Sequence, residues 1–80
     1  MKTYSIKLDS INNVKNFVNS VNRYNFDADL ISGRYIVDAK SIMGIFSLDL
    51  GKPITLNAHI DDNDTATIES FSTDMKAFSE

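Results

Sequence analysis

Over the first positions of the chain apolar and polar residues alternate singly, with Tyr4, Ile6 and Leu8 set between Thr3, Ser5 and Lys7. A period of two marks a strand with one buried face. Asp9 or Ser10 then offers a side-chain oxygen suited to capping a helix. From Ile11 the period changes. Ile11, Val14, Phe17, Val18, Val21 and Tyr24 recur at intervals of three and four, which predicts an amphipathic helix held by its apolar stripe. The opposite face is rich in asparagine, a poor helix former, so packing rather than propensity must hold this helix. Alternation returns at Phe26, Ala28 and Leu30 and again at Tyr35, Val37 and Ala39, on either side of Gly33-Arg34. With Gly33 first in a two-residue type II′ turn, Leu30 pairs with Val37 and Ala28 with Ala39, one core face shared by both strands. The same register pairs Ile31 with Ile36 on the other face, either exposed or covered by something the sequence does not show.

The segment from Lys40 to Leu50 breaks the alternation. Ser41 stands where a cap belongs, and a nearly uncharged run follows, with Gly51 and Pro53 expected to stop the helix. Gly44 lies within it, and Met43 and Phe46 are three apart, the pattern of a partly exposed contact helix rather than a core helix. Ile54, Leu56, Ala58 and Ile60 alternate with Thr55, Asn57 and His59 as a fourth strand. After the acidic turn Asp61-Asp62-Asn63-Asp64, residues Ile68, Phe71, Met75 and Phe78 mark one face of a last helix, whose acidic start suits the helix dipole. The order is β-α-β-β-α-β-α. Four strands with one apolar face each and three helices to cover it describe a two-layer α+β sandwich with an open sheet face.

Composition narrows the reading. Eighty residues and no cysteine place the chain near the lower size limit for an unaided core, with neither disulfide nor thiolate–metal support. An apolar share of 42% is that of a folded domain, so one domain spanning 1–80 is expected. The net charge of −3, with eight scattered basic residues, argues against nucleic acid as a partner. No apolar run near Met1 is long enough for a signal peptide or a membrane span, so no membrane partner and a cytoplasmic location are expected. No catalytic triad, metal cluster or phosphate loop is found, so no enzyme activity, metal or cofactor is expected.

The element order, together with Ala39-Lys40-Ser41-Ile42-Met43-Gly44-Ile45-Phe46-Ser47-Leu48, resembles HPr, the histidine-containing phosphocarrier of the bacterial phosphoenolpyruvate:sugar phosphotransferase system. The likeness is nearest to the HPr proteins of low-GC Gram-positive bacteria. Tyr24, Leu30, the Gly33-Arg34 turn, Val37 and the strand from Ile54 to Ile60 extend it without gaps over essentially the whole chain. The resemblance implies an open-faced sandwich, a four-stranded antiparallel sheet covered on one face by three helices. It also implies where the family's Gly-(Ile/Leu)-His-(Ala/Thr)-Arg-Pro motif should lie, and Leu8 to Asn13 read Leu-Asp-Ser-Ile-Asn-Asn there. Ser10 takes the place of the phosphorylated histidine, Asn12 of the arginine and Asn13 of the proline. A serine phosphate ester is a much poorer phosphoryl donor than a phosphohistidine, so Ser10 cannot serve as a carrier. His59, the only histidine, reads as a polar-face strand residue rather than an acceptor.

Ser41 falls on the family's second phosphorylation site. In Gram-positive HPr that serine is modified by HPr kinase/phosphorylase, and the product binds a catabolite control regulator. A phosphate suits a helix N-terminus, but a serine there is equally a plain N-cap. Ile42, Met43 and Phe46 match the patch through which HPr meets its protein partners, with Arg23 and Lys40 expected to flank it. Without the resemblance they would be read as core. The resemblance therefore implies a regulatory binding protein controlled through Ser41, of the kind the family's catabolite-repression paralogue represents. Two alternatives stand beside it: a phosphocarrier with an unrecognised acceptor, and an interaction or dimerisation module outside the phosphotransferase system. Monomer and weak homodimer are both compatible with the pattern.

Overall fold

In the computed structural model, which describes residues 1–79, the chain runs β1 (Lys2–Ile6), α1 (Ile11–Val21), β2 (Ala28–Ser32), β3 (Tyr35–Asp38), α2 (Ile42–Phe46), β4 (Ile54–Ala58) and α3 (Thr65–Met75), then a 3₁₀ turn at Lys76–Phe78. The four strands form one antiparallel sheet in the order β1-β4-β2-β3. The pairing turns the alternation into rows that cross the sheet. Tyr4, Leu56, Leu30 and Val37 lie side by side on the helix-covered face, and Ser5, Thr55, Ile31 and Ile36 form the matching row on the open face. A slip of one residue in any strand would exchange the two sets, so burial of one face fixes the register.

Gly33 has φ +59° and no other residue type has positive φ, so Arg34 does not. That combination belongs to type II′ and not to type I′, which needs positive φ at both central positions. The Ala39 amide donates to the Ala28 carbonyl at 2.9 Å, extending the hairpin by the expected pair.

Onto the covered face α1 lays Val14, Phe17 and Val21, and α3 lays Phe71 and Met75, with Phe78 following; all six are buried. Phe71 sits edge-on to Tyr4, Tyr24 and Phe26 at ring-centroid distances of 5.5, 5.1 and 4.9 Å, and Phe17 meets Phe78 at 5.5 Å. Each fully buried aromatic or aliphatic side chain contributes about 1.5–3 kcal/mol. Ile68 is only partly buried. Asp64 caps α3, its carboxylate accepting the Thr67 amide at 3.3 Å.

Several expectations fail in detail: β4 stops at Ala58, leaving His59 and Ile60 outside it, and α3 stops at Met75, with Phe78 in the 3₁₀ turn. The second helix ends at Phe46, not near Gly51. Its last turn tightens, with Ser47 N–H donating to the Gly44 carbonyl and Leu48 N–H to that of Ile45, both three residues back. The Ser47 hydroxyl donates to the same Gly44 carbonyl at 2.5 Å. The tightening turns Leu48 into the core, and Asp49–Lys52 becomes a turn with Gly51 at φ +94°. Ile11 is not part of the buried stripe. It is the first residue of α1 and 63% exposed; the stripe begins one turn later, at Val14.

Candidate protein-contact site

The two serines singled out by sequence cap the first two helices in the same way. The Ser10 hydroxyl accepts the Asn13 amide at 3.1 Å, and the Ser41 hydroxyl accepts the Gly44 amide at 3.2 Å. Both have extended backbone, which turns the hydroxyl back over the first turn.

Their surroundings differ. Asp9 precedes Ser10, and its carboxylate accepts from the Asn13 side-chain amide at 2.7 Å, so an acid group already rests against the start of α1. Asn12 is exposed and Asn13 half-buried, and neither carries the positive charge a phosphoryl group would need. Lys7, Asp9, Asn13, Ala77, Phe78 and Ser79 border an open cleft beside this end. Lys7 is its one cation among the described residues, and Asp9 offsets it.

Ser41 is half-buried, with its amide donating to the Asp38 carbonyl at 3.0 Å. After it come Ile42, partly buried, Met43, 76% exposed, and Phe46, 40% exposed; Ile45 alone in α2 is fully buried. The short helix thus puts one side chain into the core and turns Met43 and Phe46 to solvent. Gly44 makes the close approach possible: a methyl group there would stand 3.3 Å from both the Val37 Cβ and the Ser41 hydroxyl oxygen. The exposed methionine and phenylalanine thus lie one helical turn apart next to a half-buried serine, the composition of a candidate contact surface.

Lys40 and Arg23, expected to flank this surface, are engaged elsewhere. The Lys40 ammonium donates to the Tyr24 carbonyl at 2.9 Å, tying the end of the hairpin to the segment after α1. Arg23 pairs with Asp74 at 3.0 Å. Asp74 also accepts from the Tyr24 hydroxyl at 2.5 Å, and Ser70 lies 2.9 Å from the same hydroxyl. Burial, and then the hydrogen bond to the Asp74 carboxylate, raise the Tyr24 pKa. Sequence reasoning found Tyr24 as part of the stripe but not this network, because nothing local announces a partner fifty residues away.

His59 lies just beyond β4. Its Nε2 is 2.9 Å from an Asp29 carboxylate oxygen, in a cleft shared with Asp27 and Asp38. Carboxylates at this distance would repel a phosphoryl group, so the cleft is unsuited to holding one. Among the described residues no cluster of histidine and acidic side chains is arranged to hold a metal ion.

No protein-family model and no curated protein matches the sequence. Solved structures do. The fold superimposes on HPr-C-His from Thermoanaerobacter tengcongensis with a TM-score of 0.73 at 26% identity, covering 96% of this chain and 93% of that one. The fold is that of the HPr proteins. The phosphocarrier protein HPr from Bacillus anthracis str. Ames aligns at 29% identity and a TM-score of 0.68, over 92% of this chain and 93% of that one. Crh, the Bacillus subtilis catabolite repression protein, which forms a domain-swapped dimer, aligns at 28% and 0.62, over 95% and 87%. The HPr-like architecture expected from the sequence thus holds over nearly the whole chain, and it relates the chain to the phosphocarrier family. No helix among the described residues is long and apolar enough to cross a membrane.

Proposed function

We propose that this chain is a regulatory, non-enzymatic protein-binding module of the HPr type, a single cytoplasmic domain without phosphohistidine carrier activity. The observation that carries the reading is the contrast between its two serine caps. At α1, Ser10, Asn12 and Asn13 offer neither an imidazole nor a cation, and Asp9 adds a negative charge at the spot where a phosphoryl group would have to rest. At α2, Ser41 heads the apolar surface of Ile42, Met43 and Phe46. A dianionic phosphate on Ser41 would border that surface and let a partner read charge and apolar shape together. The proposed partners are an HPr kinase/phosphorylase and a catabolite control regulator, in a pathway of carbon catabolite or sugar transport regulation.

Two incubations test the reading. With enzyme I and phosphoenolpyruvate the protein should take up no acid-labile phosphate, and uptake would sink the loss of carrier function. With HPr kinase and ATP it should acquire one acid-stable phosphate that is absent from Ser41→Ala. A wild type left unlabelled by the kinase would remove Ser41 as the control point and shift weight to an assembly module outside the phosphotransferase system, a reading favoured by the exposed Ile36.

A further inference from the structure

The two edges of the sheet are not alike. On β1 part of the edge is closed, because Ser79 bridges Ile6 and the Lys7 amide donates to the Phe78 carbonyl at 2.8 Å. On β3 no strand or terminal segment closes the edge among the described residues. Antiparallel pairs alternate in their hydrogen bonding. Ala39 bonds back to Ala28, so Val37 and Tyr35 also bond towards β2, and the backbone groups of Ile36 and Asp38 face outwards. Open edges in monomers are usually blunted by lysine, proline or a bulge. Here the edge carries Tyr35 and Ile36, 69% and 67% exposed.

The geometry points to a second copy of this chain as the occupant of the β3 edge, paired antiparallel about a two-fold axis through Ile36. The pleat requires an axis through a residue, and outward hydrogen bonding together with the meeting of Arg34 and Asp38 selects Ile36. For both covered faces to lie on the same side, opposed residues must share a face, and centring on Ile36 satisfies this. Ile36 then faces Ile36, and Tyr35 faces Val37. Arg34 stands across from Asp38, once on each side of the axis. The outward amides and carbonyls of the two Ile36 residues bond each other, and each Asp38 amide reaches the Arg34 carbonyl of the other copy. The Asp38 carbonyl is already used by Ser41 and is not needed.

Charge complementarity favours a second copy over an unrelated strand. Inside its own sheet Asp38 lies directly opposite Asp29, a like-charged cross-strand pair; Asp29 has His59 beside it and Asp38 Oδ1 accepts the Lys40 amide at 2.9 Å, but no cation among the described residues pairs with Asp38. Arg34 has no ion-pair partner among the described residues. Pairing two copies relieves both at once. It also joins Ile31 and Ile36 of each copy into one apolar row across the open face, which accounts for the exposure of Ile36 beside a half-buried Ile31 that the monomer leaves unexplained. This inference does not depend on Ser41 or on the α2 surface.

Sedimentation velocity over a concentration series up to about 1 mM, where a contact at the small end of specific interfaces is still populated, tests it. Wild type should show a reversible monomer–dimer equilibrium. Arg34→Asp and Asp38→Arg should each weaken self-association by about tenfold or more, because each sets like charges face to face twice. An equimolar mixture of the two variants should associate again as a heterodimer, since the opposed pairs are then Asp with Arg on both sides. Ile36→Lys should weaken association whether or not Arg34 and Asp38 are intact, and amide NMR spectra check that each variant is folded. A wild type monomeric at the top of the series would overturn the inference. So would a dimer that either single variant keeps, or a mixture that fails to associate.

Discussion

The N-termini of α1 and α2 begin with the same device and lead to different ends. Each has a serine hydroxyl accepting the amide three residues on, at nearly equal distances. At α1 the helix continues for eleven residues on three buried anchors, its start pressed by an acid side chain and its far end fastened to α3 through Tyr24, Arg23 and Asp74. At α2 the helix has five residues and one fully buried anchor, with Ile42 partly buried and Met43 and Phe46 turned to solvent. A cap satisfies backbone donors wherever it stands. What the serine can do beyond that depends on neighbouring charge and on how firmly the helix behind it is held.

The firmest way to break the comparison is to remove the anchor of the weaker helix. Ile45→Ala should cost about 3 kcal/mol in urea unfolding, the usual price for emptying a buried aliphatic site. Because α2 has no second fully buried side chain, the loss should be accompanied by faster amide exchange at Gly44, Ile45 and Ser47. An unchanged exchange rate there would mean that Leu48 and the turn after it hold the helix instead.

Removing the caps themselves should separate the two ends more finely. Ser10→Ala and Ser41→Ala each forfeit a cap bond worth about 1 kcal/mol. At α1 that loss should appear in global stability, because the helix is coupled to the core through Val14, Phe17 and Val21. At α2 it should appear mostly as local exchange. Equal global losses, measured by denaturant midpoint, would erase the distinction between a structural cap and a cap on a loosely held surface.

The far end of α1 gives a pH-dependent contrast. Tyr24 is raised in the folded state by burial and by its bond to Asp74, so the unfolded chain loses that proton first as the solution becomes alkaline. The contribution is fully present below the ordinary tyrosine value of about 10 and is lost as pH rises through the folded value. Tyr24→Phe should therefore lower stability at neutral pH by about 1 kcal/mol and flatten the decline above about pH 10. An unaltered alkaline decline would remove Tyr24 as the fastener.

Much of this was legible in the sequence because it depends on short periods and on turn chemistry. The strand faces, the Gly33-Arg34 register and the stripe on α1 follow from residue spacing, and burial of one sheet face leaves little freedom in how they assemble. The misread parts are those decided by longer-range packing. Ile11 has the right spacing for the stripe but lies a turn before it. The apolar run after Ser41 looked like a longer helix because Leu48 and Leu50 continue it; the structure instead uses Leu48 as a core residue outside the helix. Lys40 and Arg23 looked free to flank a surface, but their partners, Tyr24 and Asp74, lie sixteen and fifty-one residues away. At α2 the run with Gly44 inside it already points to a partly exposed helix, and the structure gives Met43 76% exposure; the spacing alone does not decide this, since it suits a core helix equally well.

Met43 provides the smallest expected change in stability and the sharpest separation of fold from binding. At 76% exposure it buries little, so Met43→Ser should shift the unfolding free energy by less than about 0.5 kcal/mol. The α2 reading requires the same substitution to weaken binding of a catabolite control regulator to the Ser41-phosphorylated protein about tenfold, because an exposed methionine at a contact is worth far more against a partner than against water. Ser41→Ala should abolish the phosphate without disturbing Met43, so the two variants lose binding by separate routes. If Met43→Ser left binding intact while Ser41→Ala removed it, the partner would be reading the phosphate alone, and the apolar surface would need another occupant.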